Sequence, residues 1–350
     1  MSVPAFRDLL PRLRRSLLAW FRRRKRDLPW RHSADPYRVW ISEVILQQTR
    51  VDQGLPYYER FVKAFPNVDA LARAPLDRVL KAWEGLGYYA RARNLHKAAR
   101  IVSQTGRFPA TAAEWAELPG VGRYTANAIA SIAFAERVPV VDGNVQRVLA
   151  RVFNITDSID AAATRQRLWA LAGSLVPAKS PGDFNQALME LGARVCVPRK
   201  PLCADCPLRA RCKALAAGVQ EARPVRAPKK QVPHVNSVAA VIQNRGRLLI
   251  GRRPNSGMLG GLWEFPAFDT RKTLHDAVLN TLGLDVTVGD CLGDVSHTYS
   301  HRKVTLRVYR CSLNGGHILT GRYAEVKWVW PGHLSRYPMP GICHKVLQLL

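Results

Sequence analysis

The stretch CVPRKPLCADCPLRARC, residues 196–212, follows the apolar segment Phe184 to Val195 and sets Cys196, Cys203, Cys206 and Cys212 in a C-x6-C-x2-C-x5-C run. Four thiols so close together suit metal coordination better than disulfides, and their soft donors fit either zinc or an iron–sulfur cluster. The spacing alone leaves both open. What surrounds the run narrows its reading.

Upstream, VVDGNVQRV at 140–148 puts one acid, Asp142, at the head of a helix, where accepting backbone N–H groups is its plain explanation. Before it, LPGVG at 118–122 leads into the helical stretch Arg123 to Phe134 and reads as a tight hairpin between two helices. Gly120 and Gly122 permit the close turn, and the free N–H groups opening the second helix can hold a phosphate. Helical periodicity dominates residues 8–212, beginning with the stripe Leu9, Leu10, Leu13, Leu17, Leu18 and Phe21 and a basic cluster from Arg22 to Arg26, and redirected at Pro29. Further helices are predicted at 37–50, 52–64, 76–83, 90–104, 112–117, 123–134, 143–153, 163–176 and 183–194.

With 350 residues, 47% of them hydrophobic, the chain can fill two modest cores. Lys and Arg number 53 against 26 Asp and Glu, a formal charge of +27. That excess favours a polyanionic partner over a small neutral substrate and predicts salt-sensitive attraction to phosphates. No apolar run approaches the ~20 residues that span a bilayer, and no signal-peptide core opens the chain. A reducing, cytoplasmic setting away from membranes is therefore expected. Residues 213–233, with Pro224, Pro228 and Pro233, read as an extended linker. Beyond it the period changes: Val235 to Ile242, Leu248 to Gly251, Val304 to Cys311 and Ala324 to Trp328 read as strands, and Thr273 to Leu282 as a helix. The predicted organisation is a mostly α region over 1–212, a linker over 213–233 and an α+β domain over 234–350.

A helix-hairpin-helix, a following Val-Asp segment and a four-cysteine loop, in that order, resemble the endonuclease III superfamily of DNA glycosylases. The segments EVILQQT at 43–49 and GLGYY at 85–89 point more narrowly, to the MutY family of adenine DNA glycosylases, from about Leu17 to the end of the chain. GGLWEFP at 260–266 resembles the start of a Nudix fold, but the next helix carries Leu274, His275, Asp276 and Asn280 where hydrolysis would need closely spaced glutamates for divalent metals. The fold implied is multidomain: a helix-hairpin-helix glycosylase domain with an iron–sulfur cluster loop, plus a Nudix-like domain that reads DNA.

The resemblance also implies roles. The four cysteines would hold a [4Fe–4S] cluster. Glu43, on an apolar helix beside Trp40 and Val44, would have its pKa raised by burial and protonate the adenine leaving group at N7. Asp142 would stabilise positive charge on the deoxyribose, electrostatically or through a transient bond, with Asn144 orienting it. Tyr124 stands where bifunctional relatives have a lysine nucleophile, which implies base removal without Schiff-base strand cleavage. Extrusion of adenine from a duplex at low cost would draw on Gln48 and Tyr88 beside the opposite base, with Thr49 and Leu86 nearby. Arg26, Trp30 and Arg31 match the base pocket, and Gly120 and Gly122 the phosphate hairpin. Ser296 and His297 would read 8-oxoguanine, with Val295 in place of the phenylalanine common at that point. The expected partner is duplex DNA with adenine opposite 8-oxoguanine or guanine, bound by a monomer. A sister glycosylase acting on oxidised pyrimidines or thymine mismatches, and a silent lesion-sensing module, are the competing readings. Gln47, Gln48, Thr49, Tyr124 and the second domain disfavour the first, and the pair Glu43 and Asp142 the second.

Overall fold

The computed structural model describes residues 3–228, 232–269 and 273–350. Fourteen α-helices and seven strands are present among them: α1 (Val3–Arg24), α2 (Pro36–Leu46), α3 (Val51–Ala64), α4 (Val68–Arg73), α5 (Leu76–Ala82), α6 (Ala90–Thr105), α7 (Ala112–Ala116), α8 (Arg123–Ala133), α9 (Gly143–Val152), α10 (Ala162–Leu175), α11 (Pro181–Arg194), α12 (Lys213–Ala216), β1 (His234–Asn244), β2 (Arg247–Arg252), β3 (Trp263–Glu264), β4 (Ala267–Asp269), α13 (Leu274–Leu282), β5 (Leu284–Thr298), β6 (Lys303–Gly316), β7 (Glu325–Val329) and α14 (Gly341–Leu347). No helix among the described residues is long and apolar enough to cross a membrane.

Two compact units emerge, Met1–Gln48 with Ile101–Lys229, and Thr49–Arg100 with Lys230–Leu350. The first is helical. Its core is built where the stripe of α1, represented by Leu13, Leu17 and Phe21, meets Val145, Val148 and Leu149 of α9 and Phe184, Leu188 and Leu191 of α11. Burial of such faces, rather than intrinsic propensity, is what holds short helices. Capping fixes where they begin: Asp35 accepts the Tyr37 N–H at 2.9 Å ahead of α2, and a reciprocal Thr111–Glu114 box opens α7.

Composition reads 213–233 as an extended linker, and the structure departs from that. Residues 229–231 lie outside the described residues, but the preceding part is tied to the first unit: Arg223 O accepts from Arg151 Nε at 3.0 Å, Val225 O from the Ile159 N–H at 3.0 Å, and the Ala227 N–H reaches Asp160 at 2.9 Å. Buried Arg151 needs such acceptors, and finds them in the carbonyls of Arg223, Val197 and Pro198.

In the second unit the strands run β3-β2-β1-β6-β5 along the sheet, with β4 pairing β1 and β7 pairing β2. Alternation along β1 sends Ala239 and Val241 to one face and Ala240 and Ile242 to the other. The first face is covered by Leu334, Met339, Ile342 and Val346, the second by Ala277, Val278 and Leu282 of α13. A sheet apolar on both faces needs both covers.

Helices over residues 49–100 join this second unit, which cuts across a division in chain order. Their polar groups explain it. Arg93 donates to the carbonyls of Gly260 (2.8 Å) and Gly257 (3.0 Å), and Glu84 accepts from the Met339 N–H and pairs with His344 Nε2, both at 2.9 Å.

Candidate active site

Helix α2 is buried along nearly its whole length, from Tyr37 to Ile45, so Glu43 enters an apolar surround and is 7% exposed. Tyr124, in the first turn of α8, donates its O–H to Glu43 Oε2 at 2.7 Å and lies 3.4 Å from Met189 Sδ. Burial pushes the Glu43 carboxyl up to about 7, opposed by the Tyr124 bond, assisted by the nearby Asp142 charge and opposed again by Arg31. Such a group holds a proton near neutrality and can donate it from the oxygen Tyr124 leaves free. The phenol itself is pushed well above its usual pKa by burial and by the Glu43 and Asp142 charges, so it stays a neutral donor.

Asp142 is the N-cap of α9: Oδ1 accepts the Val145 N–H at 2.7 Å while Oδ2 accepts Asn144 Nδ2 at 2.9 Å. The capping explanation therefore holds, and the cap also fixes where the charge points. Burial raises its pKa, and the Val145 N–H, Asn144 and the Arg147 charge work against that rise. Asn144 is held in turn by Arg147, whose guanidinium reaches Asn144 Oδ1 (2.7 Å), Gly192 O (2.8 Å) and Cys196 O (2.7 Å). Gly192 is required here for space: a Cβ would come within 2.6 Å of Asn144 Cβ and 3.0 Å of its carbonyl oxygen.

Glu190 is a site residue that sequence reading passed over. Set in an apolar run on α11, it accepts from Arg26 Nε and NH2, each at 2.9 Å, from the Arg26 N–H at 3.1 Å and from Arg31 NH2 at 2.9 Å. Burial works to raise its pKa, but the Arg26 and Arg31 partners outweigh it and hold the carboxyl at about 2. A lone glutamate among apolar residues, with paired arginines in a matching segment, was the available signal. Arg26 and Arg31 are thereby fixed in place, and Trp30 between them is buried.

The four cysteines are free thiols that line one cavity together with Arg151, Arg209, Leu191 and Leu202. Arg151 NH1 lies 3.3 Å from Cys196 Sγ. Burial pushes Cys206 up to about 12 and raises Cys203 and Cys212, so the thiols would be protonated unless a metal displaced the protons. Among the described residues, no group of three or more His, Cys, Asp or Glu converges on a single-ion position. An all-thiolate set around one cavity, with guanidinium groups to offset its charge, fits a thiolate-held metal or iron–sulfur group.

At the hairpin, the Val121 N–H closes on Leu118 O at 3.1 Å, Gly120 has φ +77°, and a Cβ at Gly122 would meet nothing. Gln48 is exposed and left-handed (φ 60°), next to Gln47, whose Nε2 donates to Thr125 Oγ1 at 3.0 Å. In the second unit, Thr49 is half-buried just ahead of α3, and Tyr88 is 47% exposed with φ 48°, beneath the Arg91 guanidinium. An exposed aromatic held in a disfavoured backbone region is a common mark of function. Leu86, by contrast, is buried, and its N–H donates to Trp83 O at 3.1 Å.

Ser296 and His297 are neighbours on β5, and neighbours in a strand face opposite ways. Ser296 pairs with Thr305 Oγ1 at 2.7 Å, whereas the His297 ring meets Tyr299 edge-on at 4.6 Å and rests against Gly341.

Comparison with known proteins gives the family of each domain type. Residues 41–173 match the HhH-GPD superfamily of base excision DNA repair proteins, and residues 237–349 the NUDIX domain. The human adenine DNA glycosylase is 40% identical over 94% of this chain and 72% of its own. The chain belongs to the adenine DNA glycosylase family. The rat enzyme of that name is 39% identical over 86% of this chain and 70% of its own. Among solved structures, a thermostable thymine-DNA glycosylase is 31% identical with a TM-score of 0.56, covering 61% of this chain and 99% of its own. As an adenine DNA glycosylase, the chain is a DNA-repair enzyme that hydrolyses N-glycosyl bonds, and in its first unit the charge of Asp142 acts on the buried Glu43 carboxyl.

Proposed function

We propose that this chain excises adenine paired with 8-oxoguanine or guanine in duplex DNA, as a monofunctional glycosylase acting as a monomer. The observation that carries the reading is a buried carboxyl, Glu43, with a pKa of about 7 beside a second carboxylate capping α9. Glu43 protonates adenine at N7, which turns the base into a leaving group. Asp142 stabilises the oxocarbenium-like charge left on the deoxyribose. Glu43, now deprotonated, accepts a proton from the incoming water. Tyr124 orients Glu43, and a phenol forms no Schiff base, which supports base loss without lyase chemistry.

Arg26 and Arg31, anchored on Glu190, edge the base pocket with Trp30, and Tyr88 fills the stack that the extruded nucleotide vacates. Cys196, Cys203, Cys206 and Cys212 would hold a [4Fe–4S] cluster, which supplies a rigid core for the basic loop and takes no part in bond cleavage. Ser296 and His297 read the base opposite adenine.

The test is base release from labelled duplexes with adenine opposite 8-oxoguanine, guanine or thymine, with alkali added afterwards to reveal abasic sites. Fastest release opposite 8-oxoguanine, strand breaks only after alkali and weak borohydride trapping are expected. Equal rates on all three duplexes, or efficient trapping at a lysine, would refute the reading. Iron analysis of the purified protein checks the cluster, and stoichiometric zinc without iron would remove it.

A further inference from the structure

Guanine offers N7 as a bare acceptor on its major-groove edge. Oxidation at C8 adds a carbonyl there and a hydrogen on N7, so that one ring atom changes from acceptor to donor. A serine hydroxyl both donates and accepts, and a freely turning Ser296 would therefore serve either base. If Ser296 is to discriminate, its proton must be fixed.

The sheet supplies the means. Ser296 of β5 stands directly across from Thr305 of β6, with the hydroxyl oxygens 2.7 Å apart. Thr305 Oγ1 is also 2.9 Å from Nε2 of His234, which lies on β1, where Asn236 is the cross-strand partner of Thr305. A chain His234–Thr305–Ser296 thus crosses three adjacent strands on one face, the reach expected of direct and diagonal cross-strand neighbours. The rest of Ser296 is already fixed. Its carbonyl accepts from Lys345 Nζ at 2.6 Å, and the preceding Val295 is buried in the core. The β-branched Thr305 is half-buried and stiff at χ1. The direction of the hydroxyl protons is the freedom that remains.

Thr305 has one proton and two partners. When His234 Nε2 accepts that proton, Thr305 is left only lone pairs for Ser296, so Ser296 must donate inward and presents lone pairs outward. An outward acceptor fits the N7–H of 8-oxoguanine and opposes the N7 lone pair of guanine.

Resting on the reading that Ser296 meets the base opposite adenine, we propose that Thr305 is a specificity-determining positioning residue: it accepts the hydrogen bond of the Ser296 hydroxyl, donates its own to His234, and so locks Ser296 as an acceptor for 8-oxoguanine.

The test uses the full-length, cluster-loaded protein and two duplexes, adenine opposite 8-oxoguanine and adenine opposite guanine, at matched salt. The readout is the preference, the ratio of affinities and single-turnover rates for the two. Ser296→Ala sets the scale, an expected loss of preference of about 5- to 10-fold, the size of one hydrogen bond. Thr305→Val keeps the shape and β-branching but removes the relay, and is expected to lose preference by a similar factor while the rate opposite guanine stays within about twofold. Thr305→Ser should restore it, S296A with T305V should lose no more than either alone, and His234→Phe should lose part of it.

Preference retained in T305V but lost in S296A overturns the positioning role and leaves the reading of Ser296 standing. Equal slowing of both duplexes by T305V marks a merely structural role and overturns it as well. Preference unchanged in S296A overturns the reading of Ser296 and the inference together, and preference unchanged in His234→Phe overturns the direction assigned to the chain.

Discussion

The acid pocket of the first unit and the Ser296 strand of the second use polar groups in opposite ways. Glu43 is stripped of water and held by one phenol, so that its proton is retained near neutrality. Ser296 remains half-exposed, and its hydroxyl is ordered by neighbours whose hydrogen bonds leave its charge state untouched. Catalysis needs a shifted proton affinity, which burial supplies at a cost in stability. Reading a base needs direction, which a sheet edge supplies with little burial. Substitutions in the two regions should differ accordingly in both size and kind.

The largest effects belong to the pocket. Glu43→Gln keeps the shape but removes the donatable proton, and single-turnover adenine release should fall by roughly 10²–10⁴-fold with duplex binding retained. Asp142→Asn should fall by about 10²–10³-fold. Asparagine caps helices as well as aspartate, so unchanged circular dichroism would assign that loss to charge rather than to unfolding of α9. Near-normal release in either variant would erase the contrast between the regions.

The pH profile sharpens the same contrast. Glu43 must be protonated to donate, so release limited by that step is complete below about pH 7 and falls as pH rises through it. The Tyr124 bond favours the carboxylate form, so Tyr124→Phe should raise the Glu43 pKa and move the alkaline limb to higher pH. A limb that moves down, or stays, would mean that Tyr124 is not its partner in solution. Gln in place of Glu43 should abolish the limb.

Gly192→Ala acts indirectly. The new Cβ presses on Asn144, which orients Asp142, and the expected result is about a tenfold slower release with Glu43 chemistry and its alkaline limb intact. Full activity in this variant would show that α9 yields without moving its cap.

How much of this was legible in the sequence follows the same division. Helix α1 shows as a 3.6-residue stripe because it buries one face, whereas α2, buried nearly all round, shows as an apolar run, and the cysteine run is marked by its spacing. Glu190 shows locally only as a lone acid in an apolar run; its partners, Arg26 and Arg31, are some 160 positions away in the chain, and spacing does not connect them. In the second unit, β5 is the longest strand and escaped notice. Its register shifts near Asp285, Val288 and Cys291 break the alternation on which strand recognition depends, and its edge position leaves much of it exposed. Composition also suggested a free linker where Arg151 and Ile159 hold the chain, because a backbone carbonyl leaves no trace in side-chain identity.

The smallest effect tests whether the reading strand is one device or two. In sequence Ser296 and His297 look like a pair, one able to compensate for the other. In the strand they occupy opposite faces, Ser296 with Thr305 and His297 between Tyr299 and Gly341. Residues that share no partner contribute independently, so the free energies lost in S296A and His297→Ala should add in the double variant within about 0.5 kcal/mol, measured as the affinity ratio for duplexes with 8-oxoguanine and guanine opposite adenine. A double variant no worse than one single variant would mean that the two side chains converge on one contact when DNA is bound, which requires the end of β5 to twist. His297 has a half-buried ring whose pKa burial lowers, with Lys345 adding to the effect, so under the proposed reading it would meet DNA as a neutral imidazole near neutral pH and read by hydrogen bonding rather than by charge. The loss in His297→Ala should therefore change little between low and moderate salt, where a lost phosphate contact would change steeply.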